Sequence, residues 1–374
     1  MKEYLLLTPG PTNVPPQVLA KMSLPMIHHR TKEFQGILER VNANLQKAFL
    51  TRHPVMFFAS SGTGAMEATV TNLLSRGDTV LSFSAGKWGE RYRDIAKVYG
   101  MDVKSYELES GLAFEAGQVK KALTEHPGAK AVLITLCETS TAVRHPIQQI
   151  AEVTSKSGAL LMVDAVSGLL CDPLKMDAWG VDVVVCGSQK GFMLPPGLGF
   201  VALNERAMGA ISKSNLPKYY FNFAETLKSM KKNDTPFTPA VSLIRGLDEA
   251  LILLLEEGME SVWRRHAEVA AWVRQSMTSL GLTLLSKAPS DALTAVLMPK
   301  EVPSGNVIKV MRDEHRVVMA DGQGELQGKI VRFAHMGAAC TMPDAKRGFE
   351  VFRDALSKSG FNTAAARVAP TARG

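Results

Sequence analysis

Apolar runs of six or seven residues recur through the first two-thirds of the chain, with amphipathic stretches between them. "VMFFAS" (55–60), "TVLSFS" (79–84), "AVLITL" (131–136), "ALLMVDA" (159–165), "VDVVVCG" (181–187) and "GFVALN" (199–204) read as strands. Near-continuous hydrophobicity means burial on both faces. "GAMEATVTNLLSRG", "KWGERYRDIAKVYG" and "PIQQIAEVTSKSG" carry a helical pattern, and Gly77, Gly100 and Gly158 stand where those helices would end. This alternation predicts an α/β fold, a mainly parallel central sheet with helices on both faces. Ligands of such sheets sit at the carboxyl ends of the strands.

The texture changes near residue 240. A long helical stretch, "AVSLIRGLDEALILLLEEGMESVWRRHAEVAAWVRQSMTSLG", is expected to leave the large domain at Gly258. A smaller α/β region follows, with "LTAVLMP", "RVVMA" and "KIVRFAH" as its strands. The expected division is an N-terminal arm (1–18), a large domain (19–257), a small C-terminal domain (258–360) and a loose tail (361–374), whose sequence lacks apolar periodicity. No internal repeat or low-complexity block is present.

Composition narrows the class. The 374 residues are 46% hydrophobic and 21% charged, which fits a globular chain with a sizeable core. No apolar run approaches ~18 residues, so no membrane span is expected. "MKEYLLLTPGPTN" is too short for a signal peptide, and the terminal "ARG" is not a peroxisomal address. The net charge of +7 comes from scattered basic residues, whose densest group is "KSMKK" (228–232). That distribution suits anionic small molecules rather than nucleic acid. Cys137, Cys171, Cys186 and Cys340 show no paired spacing, so they read as buried thiols of a reducing compartment, with no metal site.

Three features at strand ends carry chemistry. "SSGTGAMEA" (60–68) opens a helix with small residues, which presents backbone N–H groups to an anion. It is neither a Walker A loop nor a dinucleotide fingerprint. Asp164 ends one buried strand, and Lys190 follows another. Each has a plain structural reading: a tight turn, a capping acid, a lysine reaching for solvent. Together they suit pyridoxal 5′-phosphate. The lysine amine would form the Schiff base, the carboxylate would pair with the pyridine nitrogen, and the phosphate would sit at the helix start.

The chain resembles the class V, fold-type I pyridoxal-phosphate aminotransferases of the alanine–glyoxylate/serine–pyruvate group. The resemblance rests on "LLLTPGPTNVPPQVL", "MIHHRTKEF", "SSGTGAMEA", "GKWGER", "ETSTAVRHPI", "VDAVSG", "GSQKGFMLPPGLGFVALN", "FTPAVSLIRGLDEAL" and "VRFAHMG", in family order along almost the whole chain. It implies Lys190 as the catalytic Schiff-base lysine and proton carrier. It further implies Asp164 as the pyridine partner, Trp88 as the stacking aromatic, and Ser61, Gly62, Thr63 and Gln189 at the phosphate. Thr139 would lie near the cofactor's phenolic oxygen. Thr238 would be donated by a second subunit, which implies a homodimer with active sites at its interface. Arg332 would grip the substrate carboxylate, and Gly10 would line the substrate pocket.

The expected reaction is transamination between alanine or serine and glyoxylate or pyruvate, in the cytoplasm. Ureidoglycine–glyoxylate, aminoethylphosphonate–pyruvate and pyridoxamine–pyruvate transamination, or a lyase reaction, are the rivals on the same scaffold. A ligand-sensing regulator would need an attached DNA-binding domain, and the retained Lys190–Asp164 pair argues against it. A nicotinamide oxidoreductase would need the missing fingerprint. Ala142 stands where many relatives have glycine, and Thr235 where some have a cofactor-contacting tyrosine, so Thr235 receives no role. His28, His29 and Arg30 belong to a matching segment, with substrate contact left open. Cys340 invites comparison with a cysteine desulfurase, but "AACTMPD" does not resemble that family's nucleophile loop.

Overall fold

The computed structural model describes residues 3–362, so the expected tail lies, from residue 363 on, outside the described residues. Seven strands form the main sheet: β1 (Val55–Ala59), β2 (Thr79–Ser84), β3 (Asp102–Glu107), β4 (Ala131–Thr135), β5 (Leu160–Asp164), β6 (Val183–Gly187) and β7 (Leu198–Leu203). Their spatial order is β1-β7-β6-β5-β4-β2-β3. β7 runs antiparallel to both neighbours, and all other pairings are parallel. The carboxyl ends of β1, β5 and β6 therefore share one edge of the sheet.

The six strands expected from apolar runs all form, within a residue or two of the expected bounds. β3 escapes that reading because it is an edge strand. Its sequence, DVKSYE, puts Asp102, Lys104 and Glu107 in half-buried or exposed places. Two helix ends also differ. The helix before Gly77 stops at Leu73, and Asp78 closes the next turn by accepting the Ser75 N–H at 2.7 Å. The helix before Gly158 stops at Thr154. Only Gly100, with φ +81°, directly follows its helix cap.

Strand residues alternate between two cores. Leu81, Phe83, Val132, Ile134, Leu161, Val163 and Val184 face α1 (Lys32–Phe49) and α4 (Val241–Glu257). Val80, Leu133, Met162, Val183, Val185 and Val201 face α2 (Gly62–Leu73) and α3 (Lys87–Val98). The long stretch from 240 breaks at Gly258, whose φ of +81° ends α4 and starts α5 (Met259–Ser279).

A second, antiparallel sheet follows: β8 (Thr283–Leu284), β9 (Leu293–Leu297), β10 (Ala320–Asp321) and β11 (Ile330–Ala334), in the order β8-β9-β11-β10. The expected "RVVMA" strand is split. Ala320 starts β10, whereas Val317 and Val318 pair in parallel with Leu5 and Leu6 of the N-terminal arm. The arm is thus built into the C-terminal core. Leu7 is fully buried there, its N–H donates to Val318 O at 2.8 Å, and its carbonyl accepts from Ala334 N at 2.9 Å. Gly348 leaves the space that Leu7 fills.

Leu7→Ala should therefore lower unfolding stability by about 2–5 kcal/mol, the cost of a large-to-small change in a closed core. Urea unfolding followed by circular dichroism reads this. A loss below about 1 kcal/mol would mean that the arm is only draped over the surface.

Candidate active site

Asp164 is the last residue of β5, Lys190 lies three residues past the end of β6, and Ser61 caps α2 just beyond β1. The shared sheet edge brings these three sequence-predicted features together. Lys190 is 6% exposed, and its Nζ donates to the Pro9 carbonyl. Thr12 ties the arm to the same loop by donating from Oγ1 to Lys190 O at 3.3 Å and from its N–H to Gln189 O at 3.2 Å. Gly10 makes this approach possible. Its φ is +98°, and a Cβ there would stand 2.6 Å from Lys190 Nζ. Burial lowers the Lys190 ammonium to about 8. Asp164 is 4% exposed and accepts the Val166 N–H at 2.9 Å. Burial raises its carboxyl to about 7, against the opposing pull of that hydrogen bond and of Lys190.

Trp88 lies in the first turn of α3, with its ring centre 5.9 Å from Lys190 Nζ. Glu138 fixes that turn. Its fully buried carboxylate accepts the Trp88 and Gly89 N–H groups at 3.0 and 3.1 Å, and the Ser140 N–H and hydroxyl at 3.1 and 2.6 Å. Burial raises the Glu138 carboxyl, and these donors oppose the shift. The neighbouring Thr139 carbonyl accepts from Arg332 Nη1 at 2.9 Å. Arg332 Nε and Nη2 both donate to Asp321 O, at 2.8 and 2.6 Å. Arg332 is 5% exposed, and among the described residues it has no carboxylate partner. Three of its five N–H bonds are committed, which leaves one on each Nη for the two oxygens of a carboxylate.

Several buried polar atoms around this edge have no partner among the described residues: Thr139 Oγ1, Trp88 Nε1, the Gln189 amide oxygen and Ser84 Oγ. Unpartnered buried groups are costly, so they mark a place shaped for something else. The start of α2 is bare enough to receive an anion. Ser61 Oγ takes only a long 3.5 Å bond from Gly64 N, and a Cβ on Gly62 or Gly187 would crowd Val166 or Gln189. An anion with a planar ring attached fits these residues: Ser61, Gly62, Thr63 and Gln189 at the anion, Trp88 and Asp164 at the ring.

Thr238 is not brought to this group. It is exposed beside α4 and lines a separate pocket with Phe57, Tyr220 and Phe237. Arg30 pairs with Asp234 and donates to Thr235 O, while the His28 and His29 rings lie tilted against each other with centroids 4.7 Å apart, and none of the three is among Lys190's own contacts. Cys340 is fully buried, and burial pushes its thiol up to about 12, which leaves no thiolate nucleophile. Sequence reasoning missed Glu138, Pro9 and Asp321. Glu138 could have been found as an acid inside the quoted "ETST" segment. Pro9 and Asp321 act through main-chain carbonyls, which carry no side-chain signal.

A family model described as aminotransferase class-V matches residues 4–334. The L-aspartate–glyoxylate aminotransferase of Paracoccus denitrificans is 34% identical over 364 residues, covering 95% of this chain and 89% of that protein. The serine–glyoxylate aminotransferase of Methylorubrum extorquens is 34% identical over 345 residues, covering 89% and 86%. Among solved structures, the alanine–glyoxylate aminotransferase of Nostoc sp. superposes with a TM-score of 0.91 at 30% identity, over 95% of this chain and 96% of that one.

The raised Asp164 pKa has a stability consequence with a definite sign. The folded chain holds this proton up to about pH 7, against an ordinary value of 3.8. The stabilisation is complete below that ordinary value and is lost as pH rises through about 7. In ligand-free protein, the thermal midpoint of Asp164→Asn minus that of wild type should become more positive between pH 5 and pH 8. Equal differences at both pH values would show an ordinary carboxylate.

Proposed function

The chain belongs to the class-V aminotransferase family, and from that premise we propose that it binds pyridoxal 5′-phosphate at the Lys190 site and transfers amino groups from alanine or serine to glyoxylate or pyruvate. The observation that carries this reading is the juxtaposition of a buried amine, a buried acid and a half-free guanidinium beside an anion cradle. The three named relatives share glyoxylate in their names and differ in the donor. Pro9 and Gly10, which lie against the amine, are uncharged, which favours a donor with a small, uncharged side chain.

When bound, the cofactor supplies an aldehyde that joins an amine and a ring that draws electrons from the substrate's α-carbon. Thr63, Ser61, Gln189 and the first N–H groups of α2 would hold its phosphate, Trp88 its ring face and Thr139 its phenolic oxygen. Asp164 would accept the ring N–H⁺, a partner that relieves the cost of its buried negative charge. Lys190 is the proton carrier. With its ammonium lowered to about 8, Nζ takes a proton near neutral pH and returns it without a large energetic step in either direction. Arg332 orients the substrate by its carboxylate, so the bond to be broken faces Nζ. Water is kept out by the arm, whose Pro9 and Gly10 cover Lys190.

Thr238 would complete the site of a second subunit. The exposed Tyr219 and Tyr220, which stack on Phe237 beside it, give that loop an apolar face for a homodimer contact. The four buried free thiols suit a reducing compartment, and we place the protein in the cytoplasm. None of the described helices is long and apolar enough to cross a membrane.

Two variants test this function. Lys190→Ala should lose borohydride-fixed cofactor label at this site; label retained on another lysine would sink the assignment. Arg332→Lys keeps the charge but not the fork. It should raise KM for both alanine and glyoxylate by about tenfold or more while the cofactor absorbance stays. Unchanged KM values would place the carboxylate elsewhere.

A further inference from the structure

Arg91 sits one turn into α3, exposed at the mouth of the site. Its guanidinium carbon lies 4.4 Å from the centre of the Trp88 ring, and its Nη1 donates to Thr63 Oγ1 at 3.0 Å. It therefore bridges the aromatic ring and the first turn of α2. Two basic residues beside it on the same helix are paired: Lys87 with Glu90 at 2.9 Å, and Arg93 with Asp94 at 2.8 Å and with Glu107. Among the described residues Arg91 forms no ion pair. Its charge still reaches the floor of the site, where it pulls the Asp164 carboxyl down against burial.

A phosphate monoester carries roughly −1.5 to −2 at neutral pH. The cradle described so far offers it only neutral donors: hydroxyls, an amide and the N–H groups of a helix start. The other two cations of the site have other work, Lys190 at the Pro9 carbonyl and in the chemistry, Arg332 at the Thr139 and Asp321 carbonyls and, through its two remaining N–H bonds, at the substrate carboxylate. A dianion leaving water for such a place needs a formal positive charge nearby.

We propose that Arg91 is the cationic member of the phosphate subsite: its guanidinium stays stacked on Trp88 and exchanges the Thr63 hydroxyl for phosphate oxygens. This deepens the cofactor reading above and rests on it. The stack pre-orients the planar fork, so an arginine gains here what a flexible lysine would not. The Thr63 hydroxyl, which only accepts from Arg91, keeps its own hydrogen to donate to the same anion. Arg91 thus ties ring placement to phosphate capture.

The test separates phosphate from ring. Pyridoxamine 5′-phosphate and pyridoxamine lack an aldehyde, so neither attaches to surface lysines. Their dissociation constants are measured by equilibrium ultrafiltration on the full chain freed of cofactor, for wild type, Arg91→Lys and Arg91→Met. In Arg91→Met, affinity for the phosphorylated ligand should fall by about tenfold to a hundredfold, the worth of one charged hydrogen-bonded contact. Affinity for pyridoxamine should be unchanged. Arg91→Lys should recover part of the loss, and added salt should weaken the phosphorylated ligand more in wild type than in Arg91→Met. Equal losses for both ligands would mean that Arg91 acts only through Trp88, and no loss for either would remove it from the site; each result overturns the proposal. Wild-type protein that binds neither ligand would instead defeat the cofactor reading itself.

Discussion

The arrangement hangs on one carboxylate that never touches water. Glu138 accepts four hydrogen bonds, two from the start of α3 and two from its own turn. Those bonds offset the cost of burying an acid, and they also join elements that lie about fifty residues apart in sequence. Trp88 is aimed by the first pair. The second pair holds the turn whose next carbonyl, that of Thr139, receives Arg332 from the C-terminal sheet. Ring platform, carboxylate grip and sheet edge are thus referenced to a single anionic point. A helix start is a natural place for it, since the helix dipole favours a negative charge there.

Around that point, burial moves two ionisable groups towards each other. Lys190 falls to about 8 and Asp164 rises to about 7, both because water is excluded. In water the two groups would differ by more than six units, and a proton would rest firmly on the amine. Inside the site the gap is small, so the proton's place is set by what binds beside each group rather than by their intrinsic chemistry. The arm contributes to this exclusion. With Gly10 against the amine and Pro9 as its acceptor, a segment of no regular structure becomes a wall of the site.

Much of this is legible in the amino-acid sequence alone. β4, β5, β6 and β7 are buried on both faces, so their sequences had to be apolar throughout, and a charged residue at their ends had to stand out. Asp164 and Lys190 were visible for that reason. β3 was hidden because an edge strand is free to be polar. Glu138 was hidden because its partners are backbone N–H groups, whose position depends on the fold and not on residue type. The roles of Pro9 and Asp321 could not be read at all, since every residue carries a carbonyl. Trp88, Gly10 and Arg332 became visible only through the family resemblance: a tryptophan, a glycine and an arginine have many ordinary uses. Arg91, inside the quoted "GKWGER", shows its place only once α2 and α3 are side by side.

The pairing of Leu5 and Leu6 with Val317 and Val318 gives the N-terminal arm a partner roughly three hundred residues later in the chain. During synthesis the first residues leave the ribosome well before that partner exists. Leu5 and Leu7, which end in the C-terminal core, must wait in contact with solvent or with some temporary cover. The main sheet can assemble meanwhile from strands that are close in sequence, because its crossovers are short by comparison. Until residues 317 and 318 are made, the Pro9 and Gly10 wall beside Lys190 is held only by the bonds from Thr12 to Gln189 and Lys190. A wall of the site thus depends on a strand made long after the lysine it covers, and a chain cut short before residue 317 would leave that wall without its second anchor.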